Sequence, residues 1–259
     1  MDYQLTGQLA CVFAGAHGIG AAIADLLAEE GASVVVADQD AEGLALKAKR
    51  WRGTIAADLA TAEGVATAVA SVLDTFGRAP DILINNLGVG NSASFEDVTD
   101  EAWSASFQVN LMGTVRASRA LLPLMAARGS GAVVNTGSDL SKQPEPAFMD
   151  YGAFKAGLLY LTKALAKQYA PAVRVNAVLP GPIWSRMWTR PGGLVDQITA
   201  HYGLDREASV ERFLRDRQMP MGIGHAEDVA HAAVFLASPR AKFISGAALD
   251  IGGTIRGLI

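Results

Sequence analysis

Tyr151 and Lys155 stand four residues apart in Asp150-Tyr151-Gly152-Ala153-Phe154-Lys155, with Ser138 thirteen residues upstream and Asn110 further back. On a helix, a spacing of four puts a phenol and an ammonium on one face, a turn apart. The fixed positive charge would then favour the phenolate and make Tyr151 an acid/base near neutral pH. Ser138 follows the apolar run 131–137, which reads as a buried strand. Its hydroxyl is therefore expected at a strand's carboxyl end, the edge where open α/β sheets bind ligands. A Tyr and a Lys at this spacing also arise by chance on surface helices, so the rest of the chain has to decide.

The elements that would position these groups are legible as an alternation. Short β-branched runs at 9–13, 33–37, 54–57, 82–85, 132–135, 173–178 and 248–251 predict about seven strands. Ala-rich segments of helical period fall between them, at 19–30, 41–49, 100–128, 150–169 and 226–237. That pattern is α/β: a parallel sheet covered on both faces.

The chain has 259 residues, half of them hydrophobic, and no linker or charge run divides it. A single domain spanning 1–259 is expected. A formal charge of −4 gives no footprint for nucleic acid or for an anionic membrane. No apolar run has the length of a membrane span, and the N-terminus has no signal-peptide pattern, so a cytoplasmic protein is expected. The single cysteine, Cys11, lies in an apolar strand pattern and reads as core. His201, His225 and His231 are dispersed without metal-ligand spacing, so no metal is expected.

The first strand runs into Phe13-Ala14-Gly15-Ala16-His17-Gly18-Ile19-Gly20, which opens an Ala-rich helix. Glycines there let the backbone approach a pyrophosphate, whose charge is met by the helix N-terminus. Asp38 closes the second strand twenty residues after Gly18, where a carboxylate accepts hydrogen bonds from ribose hydroxyls. It would repel a 2′-phosphate, and Gln39 rather than Arg follows it. The expected cofactor is NAD.

With these motifs in sequence order, the chain resembles the short-chain dehydrogenase/reductase family in its compact single-domain branch. The resemblance runs from Gly7 to Gly253 and takes in the glycine turn, Asp58-Leu59, Asn85-Asn86-Leu87-Gly88, Asn110, Ser138, Tyr151 with Lys155, and Pro180-Gly181-Pro182-Ile183. It implies a Rossmann-like doubly wound parallel sheet with NAD across the strands' carboxyl ends. Asp58 and Leu59 would lie near adenine, Asn86 to Gly88 near the adenine ribose, and Ile183 near the nicotinamide carboxamide, with Pro180, Gly181 and Ser185 alongside. Lys155 would hold the nicotinamide ribose. Ser138 would orient the substrate oxygen while Tyr151 exchanges its proton. Asn110 would hold, through its main chain in a bent helix, a water linking Lys155 to solvent. Relatives commonly pair the helix after Asp100 and the Tyr-bearing helix across two-fold axes, implying a homotetramer with Met112, Ala117, Leu121, Ala153, Ala156, Leu159 and Leu165 available for packing.

Three departures bear on the site. Phe13-Ala14 stands where relatives read Thr-Gly: either the turn is adjusted, with Gly15 taking over the close approach, or the strand and loop are shifted by one residue. His17 is expected on the pyrophosphate. Leu87 replaces Ala and would add bulk near the adenosine.

Substrate contacts are expected from Ser138, Leu140 and the segment 143–148, and from Trp184, Met187 and Trp188 in a lid at about 184–220. The lid's arginines, Arg186, Arg190, Arg206, Arg212, Arg215 and Arg217, are interleaved with acids, which favours a solvated lid over an anion site. The leading reading is an NAD(H)-dependent oxidoreductase interconverting a secondary alcohol and a ketone. Its rivals are an NADPH-dependent 3-oxoacyl thioester reductase, against which Asp38 argues, and a non-catalytic NAD-sensing regulator, which would not need the complete acid/base set.

Overall fold

The computed structural model describes residues 2–252, apart from the side chain of Met187; Gly253 of the closing motif lies outside the described residues. In chain order the strands and helices are β1 (Leu9–Phe13), α1 (Gly18–Glu29), β2 (Ser33–Asp38), α2 (Ala41–Lys47), β3 (Gly53–Ala56), α3 (Ala62–Phe76), β4 (Ile82–Asn85), α4 (Asp100–Phe107), α5 (Gly113–Ala127), β5 (Gly131–Thr136), α6 (Met149–Tyr169), β6 (Val173–Pro180), α7 (Arg186–Thr189), α8 (Leu194–Tyr202), α9 (Arg206–Asp216), α10 (Ala226–Ala237) and β7 (Ala248–Ile251). The seven strands form one parallel sheet in the order β3-β2-β1-β4-β5-β6-β7.

Continuous apolar runs form these strands because the sheet is covered on both faces. Val12, Val34 and Val36 pack with Ile23 and Leu27 of α1 and Val229 and Val234 of α10 on one face. Cys11, Phe13 and Val35 pack with Val65 and Val69 of α3 and Leu121 and Met125 of α5 on the other. The strand order reverses between β1 and β4, whose carboxyl ends, Phe13 and Asn85, lie in register. That reversal leaves a crevice at the sheet's carboxyl edge, where doubly wound folds bind their ligands.

Local chemistry sets the boundaries. Thr61 caps α3 by accepting from the Gly64 amide, and Gly77, at φ 68°, ends it in the left-handed region. The third strand begins one residue before the sequence expectation, and the sixth runs on to Pro180. The long helix expected over 100–128 is divided, because residues 108–112 form a π-helical turn between α4 and α5. The bend expected at Asn110 is this turn, and such bulges concentrate at functional sites.

The glycine turn settles the first departure. Strand β1 keeps its expected register, and Ala14 itself takes the left-handed conformation at φ 63°. The position of a side chain at Gly15 faces the core, where an added Cβ would stand 2.5 Å from Val36 Cγ1. A left-handed Ala costs roughly 1–2 kcal/mol that Gly avoids, partly offset by the greater freedom of Gly in the unfolded chain. Ala14→Gly should therefore stabilise the protein by roughly 0.5–1 kcal/mol. A lower urea midpoint in that variant would show that Ala14 is not strained.

Candidate active site

Four strand ends build one cavity. It is lined by His17, Gly18 and Ile19 after β1, Asn86, Leu87 and Gly88 after β4, Thr136 to Leu140 at the end of β5, and Pro180 to Ile183 at the end of β6. Tyr151 and Lys155 of α6 line it as well, and Ser185, Arg186, Trp188, Leu194, Phe213 and Arg217 close it from above.

The predicted catalytic groups meet there. Ser138 is buried and lines the cavity with Tyr151, whose phenol its side chain helps to hold down. Its Oγ also accepts from the Leu140 amide at 3.2 Å and donates to Asp139 Oδ1 at 3.0 Å. Lys155, 1% exposed, donates to the carbonyls of Leu87 at 2.7 Å and Thr136 at 2.8 Å. It thereby ties the end of β4 and the end of β5 to the Tyr-bearing helix. Asn110, fully buried, pairs with the Val89 backbone in both directions, Oδ1 accepting from the amide and Nδ2 donating to the carbonyl, each at 3.0 Å. Its side chain is used in holding the loop after Gly88, which leaves only its main chain for the relay role expected of it.

The electrostatics correct one expectation. Lys155 Nζ lies 5.6 Å from the centre of the Tyr151 ring. Burial pushes the phenol up to about 12, with the Asp139 charge adding to the rise, while the Ser138 hydrogen bond opposes it. Burial also lowers Lys155 to about 7. Both shifts run against the phenolate–ammonium pair that the spacing suggests.

The residues fit a nicotinamide dinucleotide. Gly20 packs where an added Cβ would stand 2.2 Å from the Ala14 carbonyl oxygen, so the turn closes only around glycine. At Gly88 a Cβ would stand 3.0 Å from Lys155 Nζ, leaving the backbone open beside the ammonium. Thr136 lines the same cavity, and its enclosed hydroxyl has no partner among the described residues. Asp38 accepts from the Ala16 amide through Oδ2 and from the Asp40 amide through Oδ1, both at 3.0 Å, which fixes its carboxylate against the glycine turn.

Other expected contacts are placed differently. Leu87 lines the cavity but is largely withdrawn from it. Its side chain is 3% exposed and turned into the core, where Gly113 admits it: a Cβ at Gly113 would meet Leu87 Cδ2 at 2.4 Å. Leu59 is buried in the same core, and Asp58, exposed, accepts from the Ala60 amide; neither lines the cavity. His17 lines it but is engaged by a carboxylate, with Nε2 2.5 Å from Asp40 Oδ2 and 2.9 Å from Arg186 Nη1. The Gly43 amide, with His17, holds Asp40 down at about 2. Trp188 lines the cavity, whereas Trp184 packs on it edge-on at 5.6 Å within the small apolar cluster that α7, α8 and α9 share. The Met187 side chain lies outside the described residues.

Sequence reasoning did not find Asp139, Glu145 and Arg217 as site residues. All three line the cavity, and Arg217 Nη1 pairs with Glu145 Oε2 at 2.7 Å. Glu145 lay within a segment named only as a stretch, and the arginine was read as one of many solvated charges.

Comparison with known proteins agrees with this geometry. The sequence pattern of the family described as Enoyl-(Acyl carrier protein) reductase matches residues 13–253. The 2-(S)-hydroxypropyl-CoM dehydrogenase 3 of Xanthobacter autotrophicus is 34% identical over 262 residues, covering 98% of each chain. Among solved structures, the L-sorbose reductase of Gluconobacter frateurii, complexed with NADPH and L-sorbose, is 31% identical over 100% of both chains with a TM-score of 0.92. The 3-ketoacyl-(acyl-carrier-protein) reductase of Brucella melitensis, complexed with NADH, is 31% identical over 96% of this chain and 98% of that one, with a TM-score of 0.82. The glycine turn, the Ser-Tyr-Lys constellation, the sheet order and these matches together make this chain a member of the short-chain dehydrogenase/reductase family of oxidoreductases.

Proposed function

We propose that the protein interconverts a secondary alcohol and a ketone, with NAD(H) as its preferred cofactor. The convergence of Ser138, Tyr151 and Lys155 in one cavity carries this reading. A bound nicotinamide would supply the hydride or accept it, and in its oxidised form would add a positive charge beside the phenol. Ser138 holds the substrate oxygen toward Tyr151. In reduction the Tyr151 phenol, protonated by virtue of its burial, gives its proton to that oxygen; in oxidation it takes the proton back. Lys155 fixes the Leu87 and Thr136 carbonyls and so the spacing between cofactor cradle and proton donor. The segment at 184–220 acts as a lid over the cavity, supported by its own apolar cluster and by the Arg217–Glu145 pair that joins it to the segment after Ser138. A screen of secondary alcohols and ketones with both cofactors, read by absorbance of the reduced nicotinamide, tests the reading; no turnover with any of them would refute it.

The preference for NAD rests on Asp38, since a relative complexed with NADPH and another with NADH bracket both choices. The wild type should show the higher kcat/KM with NAD, and Asp38→Ala should narrow the gap by weakening NAD use and relieving repulsion of a 2′-phosphate. Because Asp38 also holds the Ala16 and Asp40 amides, Asp38→Asn is the control that keeps its shape. A wild-type preference for NADP would overturn the assignment.

For assembly we propose a homotetramer. Ala117 and Leu121, expected at an interface, are fully buried in their own core. Ala153, Ala156 and Tyr160, 81% exposed, lie instead along one open face of α6, where small residues allow close helix approach. Light scattering that shows a monomer at micromolar concentration would rule this out.

A further inference from the structure

Asp139 is an acid in an awkward place. It lines the cavity next to Ser138, and its charge helps to keep the Tyr151 proton on, the opposite of what a base for alcohol oxidation needs. Its own ionisation is disfavoured too, by burial. An asparagine there would carry no such charge.

Local structure accounts for only one of its two carboxylate oxygens. The turn at 139–141 is already closed by Ser138 and Ser141, with the Leu140 amide on Ser138 Oγ and the Ser138 amide on Ser141 Oγ, each at 3.2 Å. Oδ1 of Asp139 accepts from Ser138 Oγ at 3.0 Å and the Leu140 amide at 2.9 Å. Oδ2 has no hydrogen-bond donor among the described residues. The cation whose charge it feels, Arg217, is hydrogen-bonded to Glu145. What remains is a carboxylate oxygen in the cavity with acceptor capacity to spare and no cation of its own.

We propose that Asp139 is a specificity-determining residue that selects substrates bearing a hydroxyl on the carbon next to the reacting one: α-hydroxy ketones in reduction and vicinal diols in oxidation. The inference rests on the alcohol/ketone reading above and deepens it. A carboxylate only accepts hydrogen bonds, so the group that meets it must be a donor. With the reacting oxygen on Ser138, an oxygen on the adjacent carbon lies about one hydrogen-bond length further on. Asp139 Oδ1 stands one hydrogen bond from Ser138 Oγ, so the same carboxylate borders the place where that second hydroxyl would lie. Leu140, Phe148, Trp188, Leu194 and Phe213 line the same cavity and receive the carbon skeleton. In reduction a bound reduced nicotinamide would supply the hydride to the carbonyl carbon, Tyr151 would give its proton to the oxygen and regain one from solvent, and the neighbouring hydroxyl would be unchanged. Donation from that hydroxyl also offsets the Asp139 charge that Tyr151 feels, so the substrate itself relieves the penalty.

Matched pairs of ketones that differ by one hydroxyl test this: 3-hydroxy-2-butanone against 2-butanone, and 2-hydroxycyclohexanone against cyclohexanone. Each is assayed with NADH and NADPH on wild type, Asp139→Asn and Asp139→Ala. The wild type should favour the hydroxylated member of each pair at least tenfold in kcat/KM, as expected for a hydrogen bond to a charged group. In Asp139→Ala that ratio should fall to within about threefold, with Asp139→Asn between, whatever the absolute rates. The ratio is read within each variant, so a general loss of activity does not mimic the effect. A wild type that reduces both members equally well, or a preference that survives in Asp139→Ala, overturns the role of Asp139 and leaves the alcohol/ketone reading standing. A wild type inert toward every ketone with either cofactor overturns both.

Discussion

Tyr151→Phe should lower turnover at least about a hundredfold, the lower end for loss of a general acid/base, and leave NADH binding nearly unchanged. The substitution removes one oxygen. The ring remains, so its packing beside Gly90 at the cavity wall is kept, and the Lys155 bonds to Leu87 and Thr136 do not involve it. The hydroxyl it removes lies in the cavity with Ser138, and of its two neighbouring titratable groups Lys155 is occupied by two carbonyls while Asp139 accepts from Ser138. Because burial pushes the phenol up to about 12, the wild type holds the proton that reduction consumes throughout the neutral range. Reduction should show the full loss in the variant, measured as kcat at saturating NADH. Turnover within a few-fold of wild type would mean that protonation comes from elsewhere, and Tyr151 would be a wall of the cavity only.

The parts of the site that were legible in sequence are those whose geometry is local. Tyr151 and Lys155 share a helix face by spacing alone, and Ser138 is delivered by the strand that the run before it forms. The seven strands were readable because a sheet covered on both faces needs unbroken apolar runs. What could not be read depends on contacts between distant segments. Leu87 looked like bulk toward a ligand because nothing local shows that Gly113, after the π turn, leaves room for it in the core. Ala14 looked like a register problem because an adjusted turn and a shifted strand predict the same sequence, and only its φ distinguishes them. Trp184 and Trp188 were offered together as substrate contacts, but the lid is thick enough to have an interior, and only Trp188 also lines the cavity. Spacing also fixed the nearness of Lys155 to Tyr151 without fixing its effect, which depends on how far both are withdrawn from water.

Lys155→Met separates function from stability in a way few substitutions at this site can. Lys155 is the group that clamps the end of β4 and the end of β5 to α6, and the Gly88 backbone lies open beside its ammonium. Without it the cradle loses both the spacing to Tyr151 and a buried donor beside the Gly88 backbone, so activity should fall at least about a hundredfold, comparable to the loss of the acid itself, and NADH binding should weaken, unlike in Tyr151→Phe. Stability is expected to change far less. Two buried carbonyls lose a donor, at about 1–3 kcal/mol each, but a buried amine whose burial itself costs several kcal/mol is removed at the same time. The balance should depend on pH. Lys155 is lowered from 10.5 to about 7 by burial, so between those values the unfolded chain holds a proton that the folded protein does not. Wild-type stability should therefore gain up to about 1.4 kcal/mol per pH unit from this residue as pH rises from 7 toward 10, lose it again as pH falls from 10 to 7, and gain or lose nothing from it below 7. The methionine variant lacks that contribution. Urea unfolding of both proteins at pH 7 and pH 9.5 should show the difference between them shifting in favour of the wild type at the higher pH. An equal difference at both values would mean that Lys155 keeps its charge when folded, held by the Leu87 and Thr136 carbonyls against the cost of burial.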